Sequence, residues 1–407
     1  MERDDDLDID FGYDDVTHTP VVLKTEFFPW HKPRKQYIRM EQWSSGVSSL
    51  IAALGLEEGG RPLEYLSLPG PDLLDLRAVY KVCEEKKVKI KFTGLNHIPP
   101  ERKAELADQL ISLDEMKSKD YVDNSSDVYP DKLENLSKTD SVAYQKVIKL
   151  SRTYDVINID LCDSFLGAPP KEAQDGYYQA LFSLLRYQAE HRSNDWLFYI
   201  TSRTNRDMVN DETFSRFIKA LEDIFDIDED LYARVEDNNI FSPGALVQKR
   251  FIADELDCRS VSHIVSAGIG KWVLGSLTST PPAHKSSMMK LFSYNVSLKE
   301  TSYDMVSLGF WCKKIPTPAE DPLGLANGVN LGKESSESVQ RKCMDKVFKS
   351  LSEVLDVDRE LTDDAKFNSY LQASADLMQA ARYDRDRYID WAKNEHKLVV
   401  AALQERA

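Results

Sequence analysis

Downstream of residue 60 the hydrophobic positions follow two alternating rhythms. Short apolar runs at Leu63–Leu68, Lys89–Asn96, Val156–Leu161 and Trp196–Thr201 each predict a buried strand. Between them, apolar residues recur every three or four positions and predict helices. Residues 72–87 carry Leu73, Leu76, Val79, Tyr80 and Cys83 on one face, with Asp72 as the expected N-cap and Asp75 three residues on. Further helices are expected from Pro99-Pro100 to about Met116, and over Ser141–Leu150, Lys171–His191 and Asn210–Phe225. Residues 117–139 are polar and predict a loop with at most one short strand. Such alternation implies a parallel sheet with helices on both faces and the strand C-termini on one edge, where ligands bind.

The block then changes character. Leu246–Asp257 and Val261–Leu277 read as helices, whereas Lys290–Leu298 and Tyr303–Trp311 read as strands joined by Lys-Glu-Thr-Ser. A connection this short forces an antiparallel hairpin. Pro, Gly, Asn and Ser dominate residues 316–338, a linker pattern, and helical spacing returns in Val339–Leu355 and Asp364–Glu405. Upstream, residues 1–15 hold eight acids and one Arg. Lys24, Lys32, Arg34, Lys35 and Arg39 then alternate with Phe27, Phe28, Trp30, Tyr37 and Trp43, and Glu41–Leu54 reads as an amphipathic helix. The expected division is an acidic tail (1–20), a basic-aromatic arm and helix (21–60), an α/β domain (61–315), a linker (316–338) and a C-terminal helical region (339–407).

Composition narrows the functions. The 407 residues carry a formal charge of −16, which argues against a general polyanion-coating protein but leaves room for a local basic patch. No apolar run approaches the roughly 18 residues that cross a bilayer, so no membrane partner is expected. The start, Met-Glu-Arg-Asp-Asp-Asp, lacks the apolar core of a secretory signal. Cys83, Cys162, Cys258, Cys312 and Cys343 are widely scattered, which fits reduced cytoplasmic thiols rather than a disulfide framework or a CxxC zinc site. The seven histidines show no paired metal-ligand spacing, and no metal is expected. The run Asp6–Gly12 imitates a calcium loop, but its glycine comes one place late and Thr17 stands where a bidentate Glu is needed. No Gly-x-Ser-x-Gly elbow occurs. Gly268-Ile-Gly270-Lys271 lacks Walker spacing and falls within a helix, and the acids of residues 226–230 read as a solvated helix-end loop.

Three strand ends carry the candidate chemistry. Tyr65-Leu-Ser-Leu-Pro-Gly-Pro-Asp72 is a turn at the end of the first strand. Asn96 ends the second. Asp160-Leu-Cys-Asp163 ends the run Val156–Leu161, whose alternation puts Asn158 and Asp160 on one face. With the closing hairpin, this pattern resembles the class I S-adenosylmethionine-dependent methyltransferases over roughly Glu41 to Lys314, and is loosely similar to the three-Cys-motif partner proteins. The resemblance implies a Rossmann-like α/β fold: a mostly parallel seven-stranded sheet that closes with an antiparallel hairpin, here with a helical C-terminal extension. It also implies that S-adenosylmethionine is the cofactor, bound by Ser67, Gly70, Asp72 and Asn96, with Asp160 and Asp163 positioning the acceptor.

This chain departs from the family's pattern. Ser67 and Asn96 stand where the family prefers acids, and Asp72 where it uses a glycine. Asp160-Leu-Cys-Asp-Ser-Phe also lacks the prolines of the amino-directed enzymes. Arg203 and Arg206, after the fourth apolar run, are expected to face the same crevice, where they would hold a phosphate or carboxylate. Lys32, Arg34 and Lys35 are expected to cover the crevice or grip nucleic acid, through the stretch Lys32–Arg39. Two functions follow: methyl transfer to an acceptor such as nucleic acid, or a catalytically degenerate subunit. The second would hold a protein partner through its C-terminal helices or acidic tail in a multi-protein complex, as in prokaryotic antiviral defence. Both require the segments ending at Leu68, Asn96 and Leu161 to converge on one hollow.

Overall fold

The computed structural model describes residues 23–167, 176–296, 302–316 and 336–405. The acidic tail, the calcium-like run and most of the 316–338 linker lie outside these residues.

The arm folds as α1 (Pro33–Ile38), a π-helical turn (Arg39–Ser44) and α2 (Ser45–Leu54), in direct succession. The expected helix at Glu41 therefore begins eight residues earlier, with Pro33 supplying a preset φ at its first position. There follow β1 (Leu63–Ser67), α3 (Leu74–Glu85), β2 (Ile90–Leu95), α4 (Lys103–Lys117) and β3 (Asp127–Tyr129). A second π-helical stretch, Tyr144–Lys149, occupies the segment read as Ser141–Leu150. It leads to β4 (Val156–Asp160), α5 (Tyr177–His191), β5 (Trp196–Arg203), α6 (Asp211–Ile227) and α7 (Glu229–Asp237).

Next come β6 (Leu246–Val247), β7 (Arg250–Phe251), α8 (Cys258–Ser279), β8 (His284–Met288), β9 (Phe292–Tyr294) and β10 (Met305–Lys314). The C-terminal part adds α9 (Ser336–Ser352), β11 (Leu355–Asp356), α10 (Val357–Glu360), α11 (Asp364–Ala380) and α12 (Arg385–Glu405).

The described residues form a nine-stranded sheet of order β11-β9-β10-β5-β4-β1-β2-β3, with β8 also on β10. β1, β2, β3, β4 and β5 pair in parallel, β10 runs antiparallel to β5, and β8 and β9 run antiparallel to β10. This is the Rossmann-like α/β methyltransferase fold with its antiparallel closing strand. The position beside β10 is split into β8 and β9, and β11 adds an edge strand in parallel with β9. Each sheet face carries its own core. Ile157, Ile159, Phe198 and Ile200 pack with α5, α6, α8 and α9. Val156, Leu197 and Tyr199 lie on the opposite face with α1, α2 and α3. Alternation along β4 and β5 sends successive side chains to opposite cores. A fully buried aliphatic side chain of this kind contributes about 1.5–3 kcal/mol.

Several sequence expectations are corrected. Asp72 does not cap α3. The cap position is Leu73, whose φ is +51°, and the Asp72 carboxylate turns to other partners. Leu246–Asp257 is not one helix: residues 246–251 form a small antiparallel hairpin, where Gln248 and Lys249 adopt φ of +48° and +66° in a two-residue turn, and Ala253–Glu255 makes a single 3-10 turn. Asp364–Glu405 breaks at Ala381–Asp384, where Arg382 has φ +68° and Tyr383 bridges Lys24 in parallel. The acids of residues 226–230 are not all solvated: Asp228 is buried, caps α7 through the Leu231 N–H and pairs with Arg341.

The C-terminal helices are packed against the rest. α9 adds Val339, Met344, Val347, Phe348 and Leu351 to one core, and α11 and α12 gather around Leu74 at the start of α3.

Candidate ligand-binding site

Parallel strands with right-handed crossovers end together, and here their ends open onto one cleft of about 510 Å³. Its walls are Leu68–Asp75 after β1, Leu95–Pro99 after β2, Asp131–Glu134 after β3 and Asp160–Cys162 after β4, with Trp30 and Arg39 reaching in from the arm. Leu68, Asn96 and Leu161 thus meet around one hollow.

Among the cofactor candidates, Ser67 lies buried at the end of β1 and donates to Asp75 Oδ2 at 2.7 Å. The acid absent from position 67 is therefore present in space, in the first turn of α3. Burial raises the Asp75 pKa against the Ser67 hydrogen bond, which lowers it. A Cβ on Gly70 would meet nothing within 4 Å, so the turn leaves space beside this wall. Asn96 Nδ2 donates to Gln109 Oε1 at 2.6 Å, which leaves the amide oxygen as the acceptor facing its surroundings. Asp72 lines the cleft, but its carboxylate pairs with Lys24 and accepts from the Tyr383 hydroxyl at 2.8 Å.

On the acceptor side, Asp160 Oδ1 accepts from Lys35 Nζ at 2.6 Å. Lys35 is buried, stands 5.0 Å from the Trp43 ring and reaches the Tyr294 hydroxyl at 3.4 Å. Burial pulls this ammonium down, but Asp160 and Tyr294 outweigh it and its pKa ends above the ordinary lysine value. Asp163 is exposed and does not line the cleft.

The other basic candidates are engaged elsewhere. Lys32 pairs with Glu395 at 2.8 Å, and Arg34 pairs with Asp358 at 3.2 Å and donates to the Asn295 carbonyl. Residues 33–38 are buried, so this arm turns its cations inward. Arg203 and Arg206 do not face the β1–β4 cleft. β10 brings Asp304 to Arg203 at 3.2 Å, and Arg206 pairs with Asp211 and lies over the Phe214 ring. Residues 204–207 line a separate cavity of about 540 Å³ bounded by α6, α8 and Tyr303. Of the stretch expected to cover the crevice only Arg39 lines it, and sequence reasoning missed Asp75 and Trp30 as lining residues. Their spacing in the sequence carries no sign of which side chains turn into a cleft.

Among the described residues no cluster of three or more His, Cys, Asp or Glu side chains could hold a metal ion, and no helix is long and apolar enough to cross a membrane.

Residues 24–393 match the PP_RS20740-like family. No curated protein matches the chain. Similar solved structures include a SAM-dependent methyltransferase from Agrobacterium tumefaciens, at 10% identity over 69% of this chain and 62% of that one, with a TM-score of 0.30. A protein from Listeria monocytogenes assigned to the class I S-adenosylmethionine-dependent methyltransferases has 12% identity over 78% of each chain and a TM-score of 0.33. A loganic acid methyltransferase solved with SAH has 10% identity over 73% of this chain and 99% of that one, with a TM-score of 0.29. Overlaps this low carry no argument, and the fold assignment rests on strand order and direction.

Proposed function

The chain belongs to the PP_RS20740-like family, and we propose that it binds S-adenosylmethionine in the β1–β4 cleft and transfers its methyl group to an acceptor. The observation that carries this reading is the convergence of Leu68, Asn96 and Leu161 on one cleft of about 510 Å³, a volume suited to a small-molecule ligand. The residues fit the cofactor. Asn96 offers an amide for ribose hydroxyls at the β2 end. The open space beside Gly70 and the nearby Asp75 carboxylate suit a zwitterionic amino-acid end. When bound, S-adenosylmethionine supplies an electrophilic methyl on a sulfonium. Asp160, held by Lys35, orients the acceptor, so catalysis is mainly positioning.

Calorimetry with S-adenosylhomocysteine tests this. The wild type is expected to bind, Asn96→Ala to bind at least tenfold more weakly, and Gly70→Trp to abolish binding by filling the space beside the turn. No heat from the wild type at high protein concentration would remove the reading.

One observation favours a second reading, a catalytically degenerate partner-binding subunit: Asp72 and Asp160 are already committed to Lys24 and Lys35. A wild type that binds no S-adenosylhomocysteine, together with a co-purifying protein lost on Leu398→Asp at an exposed site of α12, would support it. Retention of that protein by the variant would count against α12 as the docking element.

A further inference from the structure

We infer that Arg39 is the anion anchor of the cleft, its guanidinium receiving the carboxylate of the ligand's amino-acid end. This rests on the S-adenosylmethionine reading and gives to the arm a task beside the turn after β1.

The turn after β1 offers little to an anion. The Leu73 N–H donates to the Gly70 carbonyl at 3.0 Å. Asp75, in the first turn of α3, accepts from the Leu76 N–H and from Ser67. The Asp72 carboxylate lines the same wall. Asp72 is compensated by Lys24, and the Asp75 carboxylate opposes an incoming carboxylate, although a helix N-terminus is otherwise favourable to one.

Arg39 has the complementary character. It opens the π-helical turn between α1 and α2, is 4% exposed, and yet lines the cleft. π-helical turns recur at functional sites because the wider turn re-aims a side chain. One Nη2 donates to the Trp30 carbonyl at 3.3 Å, whereas Nε has no hydrogen-bond partner among the described residues. A buried charged donor left unpaired is costly, so the site is incomplete as the chain alone supplies it. Burial draws the guanidinium pKa down and the Asp160 and Asp75 carboxylates oppose that shift. The other lining cations, Arg102 and Lys132, are exposed and follow β2 and β3, at the nucleoside end. A planar guanidinium fork matches a carboxylate in two parallel hydrogen bonds. Asp75 nearby suits the adjacent α-ammonium, so the pair reads as a receptor for an amino-acid zwitterion.

The test is titration of the full chain with S-adenosylhomocysteine and with 5′-methylthioadenosine, which keeps the nucleoside thioether and lacks the amino-acid end. The wild type is expected to prefer S-adenosylhomocysteine at least tenfold. Arg39→Gln is expected to lose that preference while binding methylthioadenosine as the wild type does, which also shows that the cleft is intact. Arg39→Lys keeps the charge without the fork and is expected to lose most of the preference, and it serves if the glutamine variant fails to fold. Unchanged preference in both variants, or no preference in the wild type, would overturn the inference and leave the cofactor reading standing. A wild type that binds neither compound would remove the reading itself, and the inference with it.

Discussion

Asp155 shows how one residue can hold the sheet's entry. It is fully buried just before β4, takes Arg61 in two hydrogen bonds of 2.5 and 2.6 Å, pairs with Arg192, and accepts from the Glu64 N–H at 2.8 Å. Removing one partner of a buried ion cluster leaves the other charge uncompensated. Asp155→Ala is expected to cost about 3–5 kcal/mol for that reason, whereas Arg61→Ala, at the partly exposed edge, is expected to cost less. Urea midpoints with unchanged slopes would check both, and an Asp155→Ala loss no larger than that of Arg61→Ala would refute the ranking. At this scale the sequence was partly legible. Asn96 and Asp160 could be placed at strand ends from the alternation alone. Arg39 could not be told from Lys35 or Arg34, because all are arm cations among aromatics and only tertiary packing separates the one lining the cleft from those paired with carboxylates.

Elements were legible where one periodicity dominated. β4 and β5 are runs of β-branched and aromatic residues, and their strand assignment held to within two residues. The hairpin of β6 and β7 was missed because Gln248-Lys249 lacks the Asn or Gly that usually marks two residues with positive φ. The break before α12 was hidden for the same reason, since Arg382 takes the left-handed conformation without a glycine. Within α8, Gly268 serves packing rather than phosphate binding: a Cβ there would stand 1.9 Å from Phe217 of α6. Gly268→Val is therefore expected to lower stability by about 1–3 kcal/mol or more through overpacking. A smaller substitution at Phe217 should recover part of the loss. A Gly268→Val protein as stable as the wild type in thermal unfolding would contradict this contact.

Across the whole molecule, arm, sheet and C-terminal helices share their polar contacts. The Tyr388 hydroxyl donates to the His31 carbonyl at 2.6 Å, and Lys24 and Tyr383 bind Asp72 at the cleft wall. The sequence suggested a helical extension after a polar linker. Its apolar faces complete cores that begin elsewhere in the chain, which no local pattern discloses.

Buried histidines give this body a pH signature, His31 and His263 most strongly, with His284 also lowered by burial. Burial lowers His31 to about 3 and His263 to about 4, the latter between the Ile240 carbonyl and the Tyr303 hydroxyl. The unfolded chain takes up these protons below about pH 6.5 and the folded chain does not, so stability is full above 6.5 and falls as pH drops toward 4 and 3. Between pH 7.5 and 5, His31 and His263 are each expected to remove about 2 kcal/mol. His263→Gln should shrink the loss of stability between pH 7.5 and 5 by about 2 kcal/mol, and an undiminished loss would contradict the assignment.

The most direct test of the central claim is a crystal structure of the full chain with S-adenosylhomocysteine. Density is expected among Gly70, Asn96, Leu133 and Asp160, with the carboxylate on Arg39. A ligand bound elsewhere, or an empty cleft at saturating concentration, would contradict the account.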